Sequence, residues 1–174
     1  MNTIALIGLS GSGKSTVGPL LAQRLGLPHH DVDLVVEQRA GRTIAEIFAT
    51  DGEPQFRALE RDLTIDLLAR PGVLSLGGGA PMTAQVADAL AGHLVVWLRV
   101  DPQQAALRVS RDPDRPLLAG ADPVVRLRQL LTQRAPTYAR LASLTVDTDQ
   151  ASAAEVVDVI VNHRASSPGR PGPV

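Results

Sequence analysis

The sequence predicts an α/β fold: a three-layer α/β/α sandwich on a five-stranded parallel sheet. Three observations carry that expectation. Five short apolar segments alternate with segments whose apolar residues recur at helical spacing. The strongest of the five run apolar without interruption, as strands covered on both faces must. The first, Thr3-Ile4-Ala5-Leu6-Ile7, enters a glycine-rich turn that opens directly into an amphipathic segment.

The helix after that turn places Val17, Leu20, Leu21 and Leu25 on one stripe, with Gly26 as its C-terminal cap and Pro19 in its early part. Pro28-His29-His30-Asp31 reads as a short strand whose extended end carries Asp31-Val32-Asp33, and a second helix is expected from Leu34 to Ala40, stopped by Gly41. Thr43-Ile44-Ala45-Glu46 is a capping box opening a short helix through Phe48, and Asp51-Gly52 is a turn. From Glu53 to about Ala69, Phe56, Leu59, Leu63, Leu67 and Leu68 form a stripe, leaving Arg57 and Glu60 three apart on a neighbouring face.

Arg70-Pro71-Gly72 ends that helix, and Val73-Leu74-Ser75-Leu76 is a buried strand running into Gly77-Gly78-Gly79. Thr83 caps a helix through Leu90, closed by Gly92. Leu94 to Val100 is the most apolar strand of the chain. Asp101-Pro102 supplies an N-cap and first helical residue for a helix to about Arg111. Residues 112–123, with three prolines and Gly120, read as a mobile lid. A helix from Val124 to Arg134 gives way to Ala135-Pro136-Thr137-Tyr138, a turn leads to the strand Leu144 to Asp147, and the Ser152/Glu155 capping box opens a helix to about His163. The chain is thus expected to form one domain over residues 1–164. Residues 165–174, rich in Ser, Pro and Gly, are expected to be disordered.

The turn after the first strand is Gly8-Leu9-Ser10-Gly11-Ser12-Gly13-Lys14-Ser15-Thr16, which is G-x-x-x-x-G-K-[ST] between a strand and a helix. Its glycines let successive N–H groups point into one concavity, and the helix opening near Lys14 adds its positive end. A polyphosphate suits such a cradle. Gly11, Ser12, Gly13, Lys14, Ser15 and Thr16 are the candidate nucleotide-binding residues, with Lys14 reaching the β- and γ-phosphates and Ser15 placed to coordinate Mg²⁺. The chain contains sixteen Arg and a single Lys, and that Lys is Lys14. A compact ammonium suits a loop that encloses one phosphate better than a planar guanidinium.

A formal net charge of −1 over 174 residues gives no polyanion-binding signal, so neither nucleic acid nor an acidic membrane surface is an expected partner. The absence of cysteine excludes thiolate metal sites and Cys nucleophiles and fits a reducing, cytoplasmic setting. Met1 to Ile4 lead straight into the nucleotide loop, without the pattern of a signal peptide. The four histidines show no metal-ligand spacing, and without an exposed apolar stripe the chain is expected to be a monomer.

Six motifs occur in order: the phosphate loop, Asp31-Val32-Asp33, Phe56-Arg57-Ala58-Leu59-Glu60, Gly77-Gly78-Gly79, Arg115-Pro116-Leu117-Leu118 and Arg134-Ala135-Pro136-Thr137-Tyr138. Together they make the chain resemble the shikimate kinases, members of the nucleoside-monophosphate-kinase group of P-loop phosphotransferases. The resemblance runs from the first strand to about Asp149. It implies transfer of the γ-phosphoryl group of MgATP to the 3-hydroxyl of shikimate.

By the same resemblance Asp31 serves Mg²⁺ with Ser15, and Asp33 binds the attacking hydroxyl and takes its proton. Arg57 and Arg134 bind the shikimate carboxylate, a role that suits a guanidinium fork, and Glu60 steadies Arg57. Gly77, Gly78 and Gly79 let backbone approach the substrate. Arg115 closes from the lid over the phosphates, and Arg108 stacks on adenine. Leu76 stands where many relatives carry Thr, and Ala153 where many carry Pro in the adenine loop. The alternatives are another small-molecule kinase on the same scaffold, acting on gluconate or a nucleoside monophosphate, or a nucleotide-binding module without catalysis.

Overall fold

The computed structural model describes residues 3–110 and 122–166. Five strands, β1 (Ile4–Ile7), β2 (His29–Asp31), β3 (Val73–Ser75), β4 (Leu94–Arg99) and β5 (Leu144–Asp147), form one sheet in the order β2-β3-β1-β4-β5, every pairing parallel. The register Ile4↔Val73 and Ile4↔Leu94 aligns the three central strands, so the turns that follow them open on the same edge.

Side chains on β1 alternate between two cores. Ile4 and Leu6 pack with Val73, Val96 and Leu98 under α1 (Lys14–Leu25) and α8 (Ala153–Ser166). Ala5 and Ile7 pack with Leu74, Val95 and Trp97 on the opposite face. That face is covered by α2 (Val32–Ala40), α3 (Ile44–Thr50), α4 (Gly52–Leu68), α5 (Ala84–Ala89), α6 (Pro102–Val109) and α7 (Pro123–Leu141). Both faces of the sheet are therefore buried, which explains the continuous apolar runs. Among the described residues no helix is long and apolar enough to cross a membrane.

Several elements differ from the sequence expectation. Asp31 does not extend a strand toward Asp33: it is the N-cap of α2, its carboxylate accepting the Asp33 N–H at 3.0 Å, and Asp33 lies in the first helical turn. Helix α7 does not stop at Arg134 but continues through Pro136 to Leu141, because the far turn buries Tyr138 on the sheet. The missing Pro136 N–H forgoes the bond to the Thr132 carbonyl, and burial of that turn offsets the loss. Pro19 is the sixth residue of α1, beyond the first turn, so the Ser15 carbonyl likewise lacks its usual donor. Thr83 occupies the N-cap of α5, but its side chain makes no cap bond.

The lid expectation over 112–123 meets the described chain only at its end, where Asp122 caps α7 and Pro123 is its first residue. Residues 111–121, Arg115 among them, lie outside the described residues. Helix α8 includes Ala165 and Ser166, two residues assigned to a disordered tail by the sequence, and the remainder of that tail is likewise outside the described residues.

Candidate active site

The phosphate loop leaves β1 at Gly8 and ends at Gly13, the N-cap of α1, with φ +95°. Gly11 adopts φ +79°, and a Cβ there would fall 2.6 Å from the Ala105 carbonyl oxygen of α6. No side chain fits, and the loop rests against α6 as a result. The Lys14 ammonium donates to the carbonyls of Gly8 (2.8 Å) and Leu9 (2.9 Å), and the Ser12 hydroxyl lies 3.4 Å away. Ser12 is turned inward and fully buried, and its N–H bonds the Leu9 carbonyl. It shapes the loop rather than facing the cavity.

A cavity of about 250 Å³ opens over this loop, lined by Gly11, Gly13, Lys14, Ser15 and Thr16, by Asp31 and Asp33, by Leu76 and Gly78, and by Arg108. A second hollow, about 300 Å³, lies between α2 and α4 beside the Arg42–Asp51 ion pair. Volume does not choose between them. The first gathers a glycine-rich helix N-terminus and an ammonium beside two carboxylates, whereas the second has carboxylates, Asp51 and Asp62, but neither an ammonium nor a glycine-rich loop. Arg108 is held at the cavity's edge, donating to the carbonyls of Gly11 (3.2 Å) and Thr148 (2.5 Å).

Gly78 joins this cavity to a second cluster. A Cβ on Gly77 would strike Glu60 Oε1 and fall 2.8 Å from Asp33 Oδ1. On Gly78 it would fall 2.9 Å from Arg134 Nη1, and on Gly79 it would lie 2.6–2.8 Å from the Arg57 guanidinium. The triple glycine thus makes room for two carboxylates and two guanidinium groups converging on one strand of backbone. Arg57, Arg134, Gly77 and Gly79 do not line the nucleotide cavity itself; they stand behind Gly78, next to Asp33, which does.

Within the cluster Arg57 bonds Glu60 at 2.6 Å, with weaker contacts of 3.4 Å to Glu53, and its guanidinium carbon lies 5.0 Å from the Phe56 ring centre. Glu60 is almost fully buried. Desolvation raises its pKa, the Arg57 ion pair opposes that shift, and the nearby Asp33 charge adds to it. Its Oε1 has no hydrogen-bond partner among the described residues. Burial also raises the pKa of Tyr138, whose hydroxyl donates to the Gly78 carbonyl, while the Arg134 guanidinium pulls that pKa back. Behind the phosphate loop, Ser75 Oγ lies 3.0 Å from His29 Nε2 and 3.3 Å from the Lys14 carbonyl.

Tyr138, Ser75 and His29 are absent from the site residues read in the sequence. Tyr138 carried a usable signal, as the chain's single tyrosine placed one helical turn beyond Arg134. The Ser75–His29 contact carried none, since it pairs residues from two strands.

Residues 10–164 match the family model described as Shikimate kinase. The chain belongs to the shikimate kinase family. It is 49% identical over 158 residues to the shikimate kinase of Mycobacterium avium, covering 90% of each chain. It is also 49% identical over 156 residues to that of Thermobifida fusca, covering 89% of this chain and 90% of the other. Among solved structures it resembles a shikimate kinase from Acinetobacter baumannii in complex with shikimate, with a TM-score of 0.91, 36% identity and coverage of 96% and 94%. The chain's all-parallel five-stranded sheet and its helices thus match the P-loop kinase fold of that shikimate kinase.

Proposed function

We propose that this chain phosphorylates the 3-hydroxyl of shikimate with MgATP, with the residue roles that follow. One observation carries the reading: Asp33, Glu60, Arg57 and Arg134 converge on Gly77 to Gly79, directly beside the cavity that holds Lys14. A small hydroxylated acid needs a clamp for its carboxylate and an acceptor for its hydroxyl within one molecule's reach of the γ-phosphate. This cluster offers both.

Arg57 and Arg134 take the carboxylate as planar forks, and Glu60 restrains Arg57 from behind. Asp33 orients the 3-hydroxyl and accepts its proton as the oxygen bonds to phosphorus. Lys14 exchanges its loop carbonyls for the β- and γ-phosphate oxygens, and amides from Gly11 to Thr16 hold the departing ADP. Arg108 borders adenine, and Arg115 contributes charge from outside the described chain. Positioning and charge stabilisation account for most of phosphoryl transfer, so a fixed arrangement of these groups is sufficient catalytic equipment.

Ser15 and Asp31 line the same cavity, and a hydroxyl and a carboxylate are hard oxygen donors that suit Mg²⁺. These two residues would hold the ion, which when bound neutralises phosphate charge. The chain works as a cytoplasmic monomer in this reading, which size-exclusion chromatography checks.

The test is a coupled ADP-release assay offering shikimate, gluconate and nucleoside monophosphates separately. Multiple turnovers with shikimate alone are expected. Turnover with another acceptor, or ADP release limited to one equivalent, would overturn the assignment.

A further inference from the structure

We propose that Tyr138 is a positioning residue for the acceptor side of the site, its hydroxyl setting the orientation of Arg134 and of the Gly78 backbone; the inference rests on the shikimate-binding reading above. Tyr138 is fully buried and does not line the cavity, so it acts through other groups. It lies four residues beyond Arg134 on α7, which puts both side chains on one face of the helix. Its hydroxyl donates to the Gly78 carbonyl, and the Arg134 guanidinium lies beside it, close enough to pull the phenol pKa down against burial. Arg134 Nη1 and the phenol oxygen would lie 2.9 Å and 3.6 Å from a Cβ on Gly78, so the three groups meet at one point of the backbone.

Two further features make the hydroxyl more than a satisfied core group. The ring is anchored on the sheet, its centre 5.7 Å from that of Trp97 on β4 at an interplanar angle of 55°. Between Arg134 and Tyr138, α7 carries Pro136, which cannot donate to Thr132. The helix ladder is thus interrupted beside Arg134, and the phenol supplies a link from that turn to the glycine strand. With its one proton given to Gly78, the hydroxyl has lone pairs left that can accept a single N–H of the neighbouring Arg134, which leaves the other guanidinium N–H groups for a carboxylate.

Tyr138→Phe keeps the ring on Trp97 and removes only the hydroxyl. We expect the KM for shikimate to rise about tenfold, as for loss of one hydrogen bond involving a charged group, with the KM for ATP unchanged. Combined with Arg134→Ala it should add almost nothing. A shikimate KM that stays at the wild-type value, or KM values that rise equally for both substrates, would overturn the proposal.

A second measurement needs no variant. Tyr138 is the only tyrosine in the chain, so incorporating 3-fluorotyrosine gives one ¹⁹F resonance. Saturating shikimate should shift it and ADP should leave it in place. A resonance unmoved by shikimate argues against the link to Arg134, whatever the variant does. If the wild-type protein neither turns over nor binds shikimate, the functional assignment has failed instead, and the two failures are thereby told apart.

Discussion

At Glu60 the chain buries a carboxyl group with one oxygen on Arg57 and the other facing Gly77. An uncompensated buried oxygen is costly, and Arg57 and Arg134 supply the positive charge that keeps the arrangement tolerable. The same economy of space explains the glycines. A methyl group on Gly79 would displace the guanidinium of Arg57, a flexible side chain that can swing outward. Gly79→Ala is therefore expected to fold with little loss of thermal stability while raising the shikimate KM at least tenfold, readable by paired melting and kinetic measurements. Arg57→Ala should raise the shikimate KM far more than the ATP KM; equal effects would remove it from the clamp. Asp33→Asn should leave the fold intact by circular dichroism and lower kcat by orders of magnitude, because the amide cannot accept the hydroxyl proton.

On the scale of elements, the contact between α1 and the sheet decides where the phosphate loop sits. Gly18 faces His29 and Ser75, and a Cβ there would fall 2.7 Å from Ser75 Oγ and closer still to His29 Nε2. Neither neighbour is a free chain end, since Ser75 is buried on β3 and bonded to His29. Gly18→Ala should therefore lift α1 from the sheet and destabilise the protein by about 1–3 kcal/mol, the usual cost of overpacking. Thermal melting checks this. Adding His29→Ala, which vacates the space, should restore part of the loss. If Gly18→Ala melts like the wild type, α1 has more freedom against β3 than this packing implies.

For the molecule as a whole, acid stability depends on imidazoles as well as carboxylates. Burial lowers the pKa of His93 below its ordinary 6.5, and its Nδ1 accepts the Thr3 N–H at 3.2 Å, tying the start of β1 to the turn before β4. The unfolded chain then binds the proton first as pH falls. Its contribution is complete above pH 6.5 and is lost as pH falls through the lowered folded value. Glu46, Asp51, Asp147 and Glu155, held below ordinary carboxylate values mainly by hydrogen bonds, lose their contributions at lower pH, under about 4.5. Glu60, with a raised value, works in the opposite sense: its protonation on acidification favours the folded state. Melting temperatures of the wild type should thus fall between pH 7.5 and 5.5, and His93→Gln should flatten that slope without changing the carboxylate region. An unchanged slope would show that His93 remains accessible to protons in the folded state.

Sequence alone determined the layer order, the phosphate loop and the identity of most charged groups in the site. These rest on local signals: apolar runs of strand length, glycines at fixed spacing before Lys14, and caps such as Thr43 with Glu46. Local rules failed where a distant contact outweighed them. Pro136 reads as a helix stop, yet burial of Tyr138 against Trp97 carries α7 past it. Asp31 and Asp33 read as extended, yet the Asp31 cap folds the chain into α2 between them. Only the tertiary structure decided that Gly77 to Gly79 make room for the side chains of Asp33, Glu60, Arg134 and Arg57. Such crowding depends on distances between β3, α2, α4 and α7, which a linear pattern does not encode.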